Sequence, residues 1–91
     1  MAAIVVYKTM FCGYCTSALR FLREVKKVAD IEEIDLTFDG AAREALTTRT
    51  GQRTVPQIFV GETHVGGYDD LRALDRAGGL DPLLRRAGAL A

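Results

Sequence analysis

Ninety-one residues with 48% apolar content suit one small domain with a thin core, and they are too apolar for a disordered chain. Twelve Lys and Arg balance twelve Asp and Glu, so a net charge of zero argues against nucleic acid as a partner and against an acidic solvating tail. The opening MAAIVVYK lacks the basic region of an export signal and the length of a membrane span, so the expectation is a cytoplasmic domain over residues 1–91 with no membrane partner.

In chain order, Ile4-Val5-Val6-Tyr7 is a nearly continuous, β-branched apolar run and predicts a strand buried on both faces. Thr9 to Phe11 lead into Cys12-Gly13-Tyr14-Cys15. From about Cys15 to Val28, apolar residues at Ala18, Leu22 and Val25, widened by Phe21 and Val28, predict an amphipathic helix. Arg20, Arg23, Lys26 and Lys27 mostly face away from that stripe. Ile31 to Leu36 alternates and predicts a more exposed strand at a sheet edge. Asp39 predicts the N-cap of a helix over Gly40 to Thr50, closed by Gly51.

Val55 to Val60 predicts a third strand with Pro56 at its start, since proline donates nothing to a central ladder. Gly61-Glu62-Thr63 is a hairpin signal before a short strand at His64-Val65. Tyr68 to Ala77 reads as a helix stopped by Gly78-Gly79, and Asp81-Pro82 as the N-cap and first residue of a last helix. The order β-α-β-α-β-β-α-α predicts an α/β fold. Its first two strands pair in parallel across a right-handed crossover and its last two form an antiparallel hairpin, so the sheet is four-stranded and mixed, covered by helices.

Cys12 and Cys15 are the only cysteines. A bridge between them closes too small a loop to remove much entropy from the unfolded chain, and the cytoplasm disfavours structural disulfides. A structural zinc site needs four ligands, whereas the chain offers two cysteines and His64, which reads as an ordinary hairpin side chain. A C-x-x-C motif near a β-α-β unit favours thiol redox chemistry. At a helix N-terminus the backbone N–H groups and the helix dipole stabilise a thiolate, which makes Cys12 the expected nucleophile. Cys15, one turn further in, is the expected resolving thiol.

The sequence resembles the dithiol glutaredoxins of bacteria over nearly its whole length. The resemblance rests on Tyr7-Lys8, Cys12-Gly13-Tyr14-Cys15, Arg53-Thr54-Val55-Pro56-Gln57-Ile58-Phe59 and Gly66-Gly67-Tyr68-Asp69-Asp70-Leu71. It implies a thioredoxin-like fold, glutathione as reductant, and disulfide-bonded or glutathionylated proteins as partners of a monomer. Thr54-Val55-Pro56 resembles the family loop whose proline is cis, leaving the Val55 backbone edge open to a peptide.

Gly66-Gly67 lets the backbone approach a ligand, and the helix opening at Tyr68-Asp69 offers N–H groups to the γ-glutamyl carboxylate. The resemblance further implies that Asp70 accepts from the glutathione ammonium, Tyr14 walls the thiol, Lys8 serves the thiolate and the glycyl carboxylate, and Arg43 supplies a cationic contact. Asp69 and Asp70 also suit simple helix capping, and Arg49 and Arg53 read as solvated or structural. Gly13 departs from the pattern, because many dithiol members carry proline there. Some members without it hold a [2Fe–2S] cluster between two subunits with glutathione as ligand, which is the alternative expectation; otherwise no metal is required.

Overall fold

Four strands and four helices follow one another in the expected order in the computed structural model, which describes residues 2–90. The strands are β1 (Ile4–Lys8), β2 (Ile31–Asp35), β3 (Gln57–Val60) and β4 (Thr63–Gly66). The helices are α1 (Gly13–Arg20), α2 (Gly40–Thr50), α3 (Tyr68–Arg76) and α4 (Leu80–Arg86). The sheet order is β2-β1-β3-β4. β1 and β2 are parallel, and β3 runs antiparallel to both β1 and β4. This is the thioredoxin-like α/β architecture, with β2 at an edge as its alternation predicts. No helix of the described residues is long and apolar enough to cross a membrane.

The core lies on one face of the sheet. Ile4, Val6 and Ile58 are fully buried there against Ala18 and Leu22 of the first helical segment, Leu71 of α3, and Leu80 and Leu84 of α4. Burying each of these large aliphatic side chains is worth roughly 1.5–3 kcal/mol. The opposite face is only half covered, so β1 is not buried on both faces as expected. Val5 and Tyr7 remain partly exposed, because α2 buries only Leu46 on that side. Arg49 of α2 lays its guanidinium over Phe59 at 4.8 Å and Tyr7 at 5.8 Å.

The first helix differs from expectation at both ends. It begins at Gly13, and after Arg20 it widens into a π turn over Phe21–Val25, with the Lys26 N–H donating to Phe21 O at 3.1 Å. Val25, placed on the apolar stripe by its spacing, is 61% exposed. Lys26 takes the inward direction instead. Its ammonium pairs with Asp75 of α3 and, at 3.0 Å, with Asp81 of α4. Lys27 then adopts φ +60° and the Val28 N–H donates to Leu22 O at 2.9 Å. This Schellman closure returns Val28 to the core. The wide turn thus exchanges an apolar contact for an ionic tie between three helical segments.

Asp81 correspondingly is not the N-cap of α4. Gly79 takes that place, Leu80 begins the helix fully buried, and Pro82 sits in the first turn, where its missing N–H costs nothing. α2 matches its signals: the Asp39 carboxylate accepts from the Ala42 N–H at 3.0 Å, and Gly51 closes the helix at φ +76°.

On the covered face of β2, Glu33 accepts from Lys8 at 2.7 Å and from Arg23 at 2.8 Å. The bond from Lys8, then that from Arg23, lowers the Glu33 pKa below its ordinary 4.5. A carboxyl with a lowered pKa stabilises the fold above the unfolded-state value and loses that contribution as pH falls through the folded value. Glu33→Gln is therefore expected to cost up to about 1 kcal/mol at pH 7, since the groups are partly solvated. Urea unfolding at pH 7 and pH 3 checks this, because the gap between wild type and variant closes at the lower pH.

Candidate active site

Strand directions bring four loops to one end of the sheet. The C-terminal ends of β1, β2 and β4 and the N-terminal end of β3 all lie there. Three of them carry parts of the predicted constellation. β1 leads to the cysteines, β3 is entered from Thr54-Val55-Pro56, and β4 exits into Gly67 and α3.

Cys12 is the N-cap of α1, with extended backbone at φ −142° and ψ 101°. Its sulfur accepts the Cys15 N–H at 3.1 Å, the place a capping oxygen takes in other helices. That donor and the helix N-terminus stabilise negative charge on Sγ in the reduced protein. Cys12 is partly exposed and Cys15 is 2% exposed, with their Cα atoms 5.2 Å apart and the two joined as a disulfide. A side chain on Gly13 would meet nothing within 4 Å, so neither packing nor backbone demands glycine there.

Beside the disulfide lies a cleft of about 220 Å³ lined by Tyr14, Thr54, Val55, Pro56, Gly67, Tyr68, Asp69 and Asp70. The Val55–Pro56 bond is cis, and the Val55 carbonyl lies 3.8 Å from Cys12 Sγ. A bulge in β4 at Val65 shifts the register, Gly66 still pairs with Ile58, and the chain then turns through Gly66, at φ +112°, into α3. The Asp70 carboxylate accepts the Gly67 N–H at 2.9 Å. The capping role considered for it is therefore observed. α3 opens at this cleft, with Tyr68, Asp69 and Asp70 of its first turn in the lining.

Eight of the ten predicted ligand residues thus gather in one cleft, and two do not. Lys8 is not in the cleft lining, and its ammonium pairs with Glu33. The Arg43 guanidinium donates to the Arg53 carbonyl at 3.2 Å, steadying the loop that carries Thr54. Arg72 escaped the sequence reading. It donates to the Tyr68 hydroxyl at 2.8 Å and lies 4.7 Å over the Phe21 ring. It thereby holds Tyr68 beside Tyr14, with the two rings 6.3 Å apart. Its signal was the spacing of four from Tyr68 on a helix.

The Glutaredoxin family model matches residues 4–65. A glutaredoxin of Pseudomonas aeruginosa is 48% identical over 84 residues, spanning 92% of this chain and 98% of its own. Glutaredoxin 3 of Escherichia coli K12 is 44% identical over 85 residues, spanning 93% of this chain and all of its own. Among solved structures, a buckwheat glutaredoxin–glutathione complex superposes with a TM-score of 0.88 at 35% identity, covering 99% of this chain and 83% of the other.

Proposed function

Since the chain belongs to the glutaredoxin family and is a thiol-disulfide oxidoreductase, we propose that glutathione is its reductant and that its substrates are glutathionylated and disulfide-bonded proteins. The observation that carries this reading is the cleft. Its Tyr14, Thr54–Pro56 and Gly67–Asp70 walls adjoin a helix-capping cysteine and offer backbone donors for a carboxylate, a carboxylate for an ammonium, and aromatic flanks. A relative of the same fold forms a complex with glutathione.

For a glutathionylated protein, the Cys12 thiolate attacks the glutathione sulfur. A Cys12–glutathione disulfide forms, and the protein thiolate leaves with the electron pair of the broken S–S bond and takes up a proton. A second glutathione thiolate attacks the same glutathione sulfur, releasing oxidised glutathione and the Cys12 thiolate. For a protein disulfide, the Cys12 thiolate attacks one of its sulfurs, forming a mixed disulfide while the other sulfur leaves as a thiolate and takes up a proton. Cys15 then attacks Cys12 Sγ, which frees the protein thiol and leaves the Cys12–Cys15 disulfide. Two glutathione thiols reduce that bond in turn. The setting proposed for this deglutathionylating monomer is the cytoplasm, as one domain over residues 1–91.

Asp70 provides the test of the ligand role. Asp70→Ala is expected to raise KM for a small glutathione mixed disulfide roughly tenfold with little change in kcat, the scale of one charge-assisted hydrogen bond. Asp70→Asn, which keeps an acceptor for the Gly67 N–H, separates the charge from the cap. An unaltered dependence on glutathione concentration in both variants would remove Asp70 from the site.

The cluster alternative, with ligation shared between two subunits and glutathione, asks only one cysteine of each chain. No group of three or more His, Cys, Asp or Glu side chains that could hold a metal occurs among the described residues. Cys12 would be the chain's ligand, and the remaining ligands would have to come from glutathione and a second subunit.

A further inference from the structure

The large apolar side chains left in solvent are not scattered. Among the described residues they are Met10, Phe11, Tyr14, Val25 and Phe38, and all but Val25 lie at the redox end of the sheet. Phe11, next to Cys12 in sequence, is 92% exposed, and Phe38 is 89% exposed. The loops that carry Met10, Phe11 and Phe38 start side by side, because β1 and β2 are parallel. The Leu36 N–H donates to Lys8 O at 2.8 Å, and the Met10 N–H donates to Thr37 Oγ1 at 2.7 Å. These bonds fasten the Phe11 loop to the Phe38 loop.

Neither phenylalanine is explained by the fold. The Phe38 loop is already held by polar groups, with Asp35 accepting from the Thr37 N–H at 2.8 Å and Asp39 capping α2. A polar residue at position 38 would serve such a loop equally well. Single exposed apolar residues need no explanation, but a cluster beside a reactive group marks a contact surface.

Tyr14 lines the glutathione cleft, whereas Met10, Phe11 and Phe38 lie on the loops of β1 and β2, toward the other edge of the sheet. In exchange with a protein disulfide the partner's sulfur bonds Cys12 Sγ, and with a glutathionylated protein it leaves from one S–S bond beyond the glutathione sulfur that Cys12 attacks, so in both cases the polypeptide around that cysteine lies close to Cys12 and rests on the surface beside it. Glutathione, held in the cleft, does not cover Phe11 and Phe38.

We propose that Met10, Phe11 and Phe38 form a docking surface for the polypeptide part of the substrate, selecting proteins whose reactive cysteine is flanked by apolar residues. The surface deepens the glutaredoxin reading and rests on it, since Cys12 must be the attacking group.

Three probes test it: the glutathione mixed disulfide of 2-mercaptoethanol, and two glutathionylated peptides of equal length and charge whose cysteine is flanked by Leu and Phe or by Ser and Gln. The wild-type protein is expected to prefer the apolar peptide at least about fivefold in kcat/KM. Phe11→Ser with Phe38→Ser should erase that preference and leave turnover of the small disulfide unchanged; both side chains are in solvent, so circular dichroism should show an intact fold. Phe38→Ser alone should reduce the preference without touching the residue beside Cys12. Equal turnover of the two peptides by the wild type, or a preference that survives the double change, would overturn the proposal. So would sedimentation showing a dimer at assay concentration that the double change dissolves, because a second copy would then be the occupant. Absence of turnover on the small disulfide would instead strike the glutathione reading itself.

Discussion

Cys12→Ser is expected to abolish reduction of a small glutathione mixed disulfide, with kcat/KM falling at least about 1,000-fold, whereas Cys15→Ser should stay within a few fold of the wild type. The difference follows from the two sulfurs' surroundings. Cys12 Sγ is partly exposed, caps the helix and accepts the Cys15 N–H at 3.1 Å, so charge on it is stabilised where a substrate can reach. A serine hydroxyl in the same place stays protonated at neutral pH and is a poor nucleophile toward sulfur. Cys15 is 2% exposed, so an incoming disulfide cannot reach it, and the glutathione route does not use it.

On a protein disulfide the outcome should reverse for Cys15→Ser, because release of the mixed disulfide requires attack from within the chain. The 5.2 Å separation of the Cα atoms in the Cys12–Cys15 disulfide shows that Cys15 reaches its partner. Glutathione-coupled assays on both substrates, with the two variants side by side, measure this directly. If Cys15 proved indispensable on the small mixed disulfide, the division of labour would be wrong.

Gly66→Ala is the second change with a large expected effect. Gly66 sits at φ +112°, a backbone conformation that an L side chain adopts only under strain. It also lies against Asp70, and a Cβ at this position would collide with the Asp70 carboxylate. To make room, the carboxylate must leave the Gly67 N–H that it caps, or the β4–α3 connection must shift. We expect a loss of about 2–3 kcal/mol in stability, and a kcat/KM at least about tenfold lower because both responses distort the cleft wall. Thermal unfolding and glutathione-dependent turnover read the two effects. Gly13→Ala is the control for stability. Open space surrounds that position, and the fold should tolerate the methyl group within about 0.5 kcal/mol.

Much of the fold was legible because its signals are local. The Asp39 cap, the Gly51 stop and the apolar run at Ile4–Tyr7 each act within a few residues, and each appears where it was read. The departures lie where a distant partner overrides the local signal. Val25 fits the helical stripe, yet Lys26 turns inward because Asp75 and Asp81 await it from α3 and α4. Asp81-Pro82 has the form of a helix start, yet Leu80 is drawn into the core one residue earlier.

The site divides in the same way. Residue types and spacing point to the chemistry: two cysteines one turn apart at a strand–helix junction predict a nucleophile and its resolver, and the Thr-Val-Pro and Gly-Gly-Tyr-Asp-Asp segments resemble a glutathione site. Their assembly depends on strand directions. Those directions bring residues 12–15, 54–56 and 67–70 to one end of the sheet. Lys8 and Arg43 show the limit of the local reading. A lone cation has many carboxylates and carbonyls within reach of its flexible stem, and only the packed structure selects Glu33 for one and the Arg53 carbonyl for the other. Phe11 and Phe38 are 27 residues apart in the chain, and nothing in the spacing of either marks the other as a neighbour. The parallel pairing of β1 and β2 starts their loops side by side, because hydrogen bonds between backbones, blind to side chains, decide which loops meet.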